Sequence, residues 1–88
     1  MQVEDVCTLV SRVVADASGE TPEIVPDTPL LLSGLLDSLT IMRIVTEIES
    51  ATGVALPETA IVARTFRTPE TVRAAVVAVR DATAEAGR

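Results

Sequence analysis

Histidine, tryptophan and tyrosine are missing from this sequence, and cysteine and phenylalanine occur once each, as Cys7 and Phe66. Without histidine the commonest general base near neutral pH is gone, and no Ser–His pair can activate a nucleophile. That narrows the means of an enzyme without excluding one. A single thiol forms no intrachain disulfide, and with no second thiol and no histidine Cys7 is not a metal site. One aromatic ring offers no platform for stacking on nucleotide bases. Basic residues are also scarce: 7 against 13 acidic ones give a formal net charge of −6. That sign argues against nucleic acid and anionic membranes as partners and favours basic ones. No apolar run approaches the roughly 20 residues of a transmembrane helix. Met1 to Asp5 has neither the basic segment nor the apolar core of a signal peptide, so a cytoplasmic location is the default expectation.

What is present suits one small domain, residues 1–88, with an aliphatic interior: 48% of the residues are apolar and only Phe66 is aromatic. Val3, Val6, Val10, Val13 and Val14 recur at helical spacing, with Glu4, Asp5, Thr8 and Arg12 opposite, which predicts a helix over about 2–17. Cys7 lies at the edge of that stripe and reads as a small buried hydrophobe. Residues 20–37 form a long connection broken by Pro22 and Pro26. Such a loop in so small a domain must itself be packed or functional. Ile24, Val25 and Leu30-Leu31-Leu32 are expected to pin it, with a short helical turn near Leu30.

A second helix over about 38–51 starts at Asp37 or Ser38, both good N-caps, and is closed by Gly53. At 100° per residue Ile41, Ile44, Val45 and Ile48 share one arc, while Thr40, Arg43, Thr46, Glu47 and Ser50 take the other side. Leu39 and Met42 fall on or beside the polar face, close to Ser38. A short third helix over 58–64 is predicted, with Ile61 and Val62 turned inward and Phe66 plugging a gap after it. The last helix, about 69–82, has Thr68 as N-cap, Pro69 at its first position and Glu70 in its first turn. Val72, Ala75, Val76 and Val79 form its core stripe, and Asp81 to Arg88 are expected to fray. The predicted fold class is all-α: a small four-helix bundle of three longer helices and one short one, with a long loop between the first two.

One tripeptide bears on chemistry, Asp37-Ser38-Leu39. Asp-Ser at a helix start is ordinary capping in most proteins. Here the serine heads an amphipathic helix, follows a long loop that leaves the approach open, and has Leu39 and Met42 beside it. Backbone N–H groups and the macrodipole favour an anion at a helix N-terminus, so a serine there can carry a phosphate-linked group without burying charge. The apolar neighbours would give partners a grip.

Leu35-Leu36-Asp37-Ser38-Leu39 and the following Thr40 to Glu49 resemble the signature and second helix of acyl carrier proteins. Gly53-Val54-Ala55-Leu56-Pro57 and Phe66-Arg67-Thr68-Pro69-Glu70-Thr71-Val72 resemble that family's later segments at matching spacing, so the resemblance covers nearly the whole chain. It implies 4′-phosphopantetheine attached to Ser38 by a transferase using coenzyme A, with Asp37 read by that phosphopantetheinyl transferase. It implies a non-catalytic carrier that holds an acyl or aminoacyl thioester, is loaded by a ligase or acyltransferase, and serves downstream biosynthetic enzymes, as a monomer. Peptidyl carriers within synthetase modules usually have Gly-Gly where this chain has Leu35-Leu36. Fatty-acid carriers have a densely acidic second helix, whereas residues 40–51 hold only Glu47 and Glu49 as acids, and Arg43 besides. Gly34-Leu35-Leu36-Asp37-Ser38 resembles freestanding carriers, including D-alanyl carriers and those loaded by separate ligases. The richness in alanine, valine and arginine suggests a GC-rich bacterium, where such carriers often serve specialised metabolism. Polyketide or nonribosomal-type biosynthesis is therefore expected, with a fatty-acid-synthesis carrier as the alternative.

Leu39, Met42, Arg43 and Glu47 are the expected partner-docking residues, because helical spacing sets them around Ser38. A cargo pocket lined by Ile48, Ile61, Phe66 or Val72 is the extension of that reading; plain core is the simpler assignment of the same four. Two other classes stay open on the residues alone: an unmodified helical interaction module, in which Asp37-Ser38 is only a cap, and a small hydrolase with Ser38 as nucleophile.

Overall fold

The computed structural model describes residues 1–86, with side chains to Ala82. It is all-α: helices α1 (Val3–Ser18), α2 (Ser38–Thr52) and α3 (Pro69–Ala86), with a single 3-10 turn at Glu58–Ala60 and no strand among the described residues. Each helix begins and ends for a local reason. The Gln2 backbone N–H donates to Asp5 Oδ2 at 2.9 Å, and at the far end Gly19 N–H closes on Ala15 O. The end of α2 is set by Gly53, whose φ of 72° is a left-handed conformation costly for a residue with a Cβ; its N–H donates to Glu49 O at 2.9 Å. At the start of α3, Thr68 and Thr71 bond reciprocally, each backbone N–H donating to the other's hydroxyl. Pro69 then takes the first helical position, where its missing N–H is no loss.

The core is aliphatic with one ring at its centre. Val6, Leu9, Val10, Val13 and Val14 of α1 meet Ile44, Val45 and Ile48 of α2, Val72 and Val76 of α3, and Phe66. Each of these side chains contributes about 1.5–3 kcal/mol by leaving water. Cys7 is buried beside them, and burial raises its thiol pKa, as befits an inert packing residue. α1 packs against both other helices and runs antiparallel to α2, since Arg12 pairs with Glu47 at 2.9 Å and Asp16 with Arg43 at 3.1 Å.

The long 20–37 connection is tied down along its length. Ser11 Oγ donates to Pro22 O, Glu70 N–H to Pro26 O, and Leu30 N–H to Arg67 O. Leu30 and Leu36 enter the core, and Ile24, Leu31 and Leu35 pack against it. Val25 and Leu32, expected among the pins, are instead exposed, Leu32 at 89%. The loop has no regular periodicity, so its tethered residues pack inward and Val25 and Leu32 are left facing water. The turn expected near Leu30 is present over 30–34, closed by Ser33 N–H to Pro29 O and Gly34 N–H to Leu31 O. Gly34, at φ 76°, makes the reversal that delivers Leu35, Leu36 and then Asp37 to the head of α2.

The short helix predicted over 58–64 is reduced to its first residues, so the all-α bundle has three α-helices and one 3-10 turn among the described residues and is not a four-helix bundle. Only the three-residue 3-10 turn appears, followed by non-helical turns through Phe66. Thr59, Ile61, Val62 and Thr65 are β-branched, and seven residues are too few to offset helix nucleation. As a result Ile61 packs against the core while Val62 turns outward. α3 continues four residues past its predicted end at 82, through a stretch rich in alanine, the best helix former. Of the tail expected to fray, Gly87 and Arg88 lie outside the described residues. No described helix is long and apolar enough to cross a membrane.

Candidate functional site

The head of α2 is organised by Asp37. Its Oδ1 accepts from Thr40 N–H at 2.8 Å and from the Thr40 hydroxyl at 2.8 Å, and its carbonyl accepts from Ile41 N–H. Both Thr40 donors hold the Asp37 carboxyl below the ordinary aspartate range, and the Leu39 N–H adds to this. The carboxylate is therefore ionised and committed to the helix start. It is poorly suited to act as a base on its neighbour.

Thr40 differs from the sequence expectation. Helical spacing sets it beside the polar face, yet it is buried, because it lies only about 40° around the helix from the core residue Ile44. Its hydroxyl is satisfied by Asp37, so burial carries no unpaired polar group. The spacing Asp37-x-x-Thr40, a capping pattern, was the available signal.

Ser38 occupies the first helical position and is exposed. Among the described residues none hydrogen-bonds its hydroxyl; the capping bonds pass from Asp37 over it to Thr40. Beside it opens a groove of about 370 Å³ lined by Ser38, Leu31, Ile41, Met42, Ile61, Val62, Ala63 and Phe66. Of the pocket residues suggested by sequence, Ile61 and Phe66 line this groove. Ile48 and Val72 are fully buried and do not; they are plain core. Leu31, Val62 and Ala63 were not foreseen, since they belong to irregular segments without periodicity.

The four expected docking residues divide into two pairs. Leu39, 73% exposed, follows Ser38 at the head of α2, and Met42, 49% exposed, lines the groove. Arg43 and Glu47 lie on the opposite flank and are engaged by α1, through Asp16 and Arg12. Glu49, the other acid of α2, accepts from Leu56 N–H at 3.0 Å. The acids of α2 are thus both in use within the molecule.

An exposed serine hydroxyl with no competing bond among the described residues, at the first position of a helix, leaves room for a covalently attached phosphodiester on the solvent side. The adjoining groove is the right chemistry for an aliphatic arm or cargo. Comparison with curated proteins finds no match, and neither does comparison with solved structures. Comparison with family models does: residues 5–76 match the model described as a phosphopantetheine attachment site, a span that runs from the first turn of α1 to the middle of α3. Domains of this kind carry 4′-phosphopantetheine covalently on a serine, are in general non-catalytic, and work with a phosphopantetheinyl transferase and acyl-handling enzymes. The chain belongs to this family of phosphopantetheine-bearing carrier domains.

Proposed function

We propose that Ser38 is the attachment point and that the chain is a carrier of acyl or aminoacyl groups for polyketide or nonribosomal-type biosynthesis. The observation that carries this is the position of Ser38 Oγ: exposed and unbonded among the described residues, at the head of α2 and on the edge of an apolar groove. The bound group supplies a terminal thiol on which cargo is held as a thioester. The residues of the chain do the rest. Asp37, pinned by Thr40, fixes the first turn so that Ser38 is presented in one orientation, and its exposed carboxylate is a feature for the transferase to read. Ile41, Met42, Ile61, Val62 and Phe66 offer an apolar wall against which an aliphatic segment is shielded from water.

The pathway assignment rests on α2. Its outward face near Ser38 is apolar at Leu39 and Met42, and Glu47 and Glu49 are both tied to partners within the molecule. Leu35-Leu36 ahead of the site supports a freestanding carrier, loaded by a separate ligase or acyltransferase; on this proposal it acts in the cytoplasm as a monomer. The deciding experiment is intact mass after incubation with coenzyme A and a broad-specificity phosphopantetheinyl transferase. The wild type is expected to gain one arm and Ser38→Ala none. An unmodified wild type, or equal gain on Ser38→Ala, overturns the assignment.

A further inference from the structure

We infer that Thr40 is a positioning residue for the attachment reaction: its buried hydroxyl holds the Asp37 carboxylate in one rotational setting, with Oδ2 left for a donor of the transferase. This rests on the carrier reading and adds to it a residue that never meets the transferase itself. Two bonds run from Thr40 to the same oxygen. Its backbone N–H and its hydroxyl both donate to Asp37 Oδ1, each at 2.8 Å. The N–H alone meets the need of an N-cap, which is one side-chain acceptor for a first-turn N–H. The helix start therefore gains little from the hydroxyl. A carboxylate held by one donor still turns about its last torsion, which is broad and two-fold, so its two oxygens exchange roles. A second donor on the same oxygen removes that freedom.

The surroundings of the hydroxyl point the same way. Thr40 is 5% exposed, and a valine there would fill the same volume with no polar group to satisfy. Thr8, Thr46 and Thr52 return their hydroxyls to the carbonyl four residues back, the usual habit of a helical threonine. Thr40 instead gives its only side-chain proton to a carboxylate on the exposed Asp37. A solvent-facing acid is thus anchored from inside the molecule. Among the described residues Asp37 joins no ion pair. Its lowered carboxyl pKa accordingly comes from hydrogen bonds, first the Thr40 N–H and then the Thr40 hydroxyl.

The test is a double-mutant cycle on the attachment reaction, run with coenzyme A and a broad-specificity phosphopantetheinyl transferase. Thr40→Val removes the hydroxyl and keeps both the N–H and the volume. Its KM as carrier substrate is expected to rise about 2- to 12-fold with kcat held, the worth of one hydrogen bond. Thr40→Ser, which restores the hydroxyl, should stay within about 2-fold of the wild type, and Thr40→Val should cost nothing further in an Asp37→Ala background. Carboxyl-carbon titration followed by nuclear magnetic resonance gives a readout that packing alone would not move: the Asp37 midpoint should be higher in Thr40→Val than in the wild type. An unchanged KM for Thr40→Val, an equal loss in the Asp37→Ala background, or an unmoved Asp37 titration would overturn the inference. Far-ultraviolet circular dichroism reports the fold of each variant; if Thr40→Val fails to fold, Thr40→Ala against Thr40→Ser makes the same comparison. A wild type that gains no arm refutes the carrier reading itself, whereas a modified wild type matched by Thr40→Val refutes only the role of Thr40.

Discussion

Phe66→Ala tests whether the non-helical segment before α3 is part of the core or merely lies on it. Phe66 is the only aromatic residue, 1% exposed, and touches two functions at once: it belongs to the central cluster and it lines the groove beside Ser38. Truncating a buried phenylalanine costs about 3–5 kcal/mol through lost transfer energy and the cavity left behind. At about 0.05–0.15 kcal/mol per residue an 88-residue chain has only about 4–13 kcal/mol in total. The substitution should therefore remove a large fraction of the stability, lowering Tm by about 12–40 °C. Val62→Ala is the matched control: it lines the same groove but is 37% exposed, so its cost should stay within about 0.5 kcal/mol. With no tryptophan or tyrosine in the chain, unfolding is followed by far-ultraviolet circular dichroism in a urea series. A shift for Phe66→Ala no larger than that for Val62→Ala would refute the packing, and with it the groove wall that Phe66 forms.

Two further perturbations probe the frame around the site. Asp37→Asn keeps a capping side chain but removes the charge. Because Thr40 holds the Asp37 carboxyl below its ordinary range, its ionic contribution to stability is present above that range and lost as the pH falls through the depressed folded value. Denaturation midpoints measured across the acid limb should therefore fall with pH more steeply for the wild type than for Asp37→Asn; parallel curves would show that the charge contributes nothing. Arg12→Ala and Arg43→Ala each break one exposed ion pair between α1 and α2, and each should cost about 0.2–1 kcal/mol at low salt and less at high salt. A large, salt-independent loss would mean that the arginine stems, not their charges, hold the two helices together.

Much of the fold was legible in the sequence because its signals are local. Valines at helical spacing, Asp37 and Thr68 as caps, Pro69 at a first position and Gly53 beyond an end each act within a turn or two, and α1, α2 and α3 lie where they point. What was not legible depends on contacts distant in sequence. Arg43 and Glu47 read as a free exposed face because their partners, Asp16 and Arg12, are 27 and 35 residues away. The helix expected over 58–64 had apolar residues at suitable positions, but its β-branched residues disfavour a helix and the anchoring of Ile61 and Phe66 at the core holds the segment in non-helical turns. The groove was half-seen for the same reason. Its α2 wall follows from periodicity, whereas Leu31, Val62 and Ala63 come from irregular backbone whose course is set by the tether between Leu30 and Arg67.

The pairing of Asp37 with Thr40 links the helix cap to the proposed chemistry. Asp37-Ser38 alone is equally consistent with a cap and with a modification site, two roles that draw on the same residues. The structure separates them by residue. The cap is made by Asp37 on Thr40, two positions beyond the serine, and it uses the third N–H of the helix. Burying the Thr40 hydroxyl against the same oxygen secures that arrangement from below. Had Ser38 been the capping residue, its hydroxyl would be occupied as an acceptor and turned back along the helix. With the task assigned to its neighbour, the hydroxyl has no structural duty, and Ser38→Ala should leave the fold intact while abolishing attachment of the arm. A Ser38→Ala protein whose circular dichroism or denaturation midpoint departs clearly from the wild type would show that the division of labour is wrong.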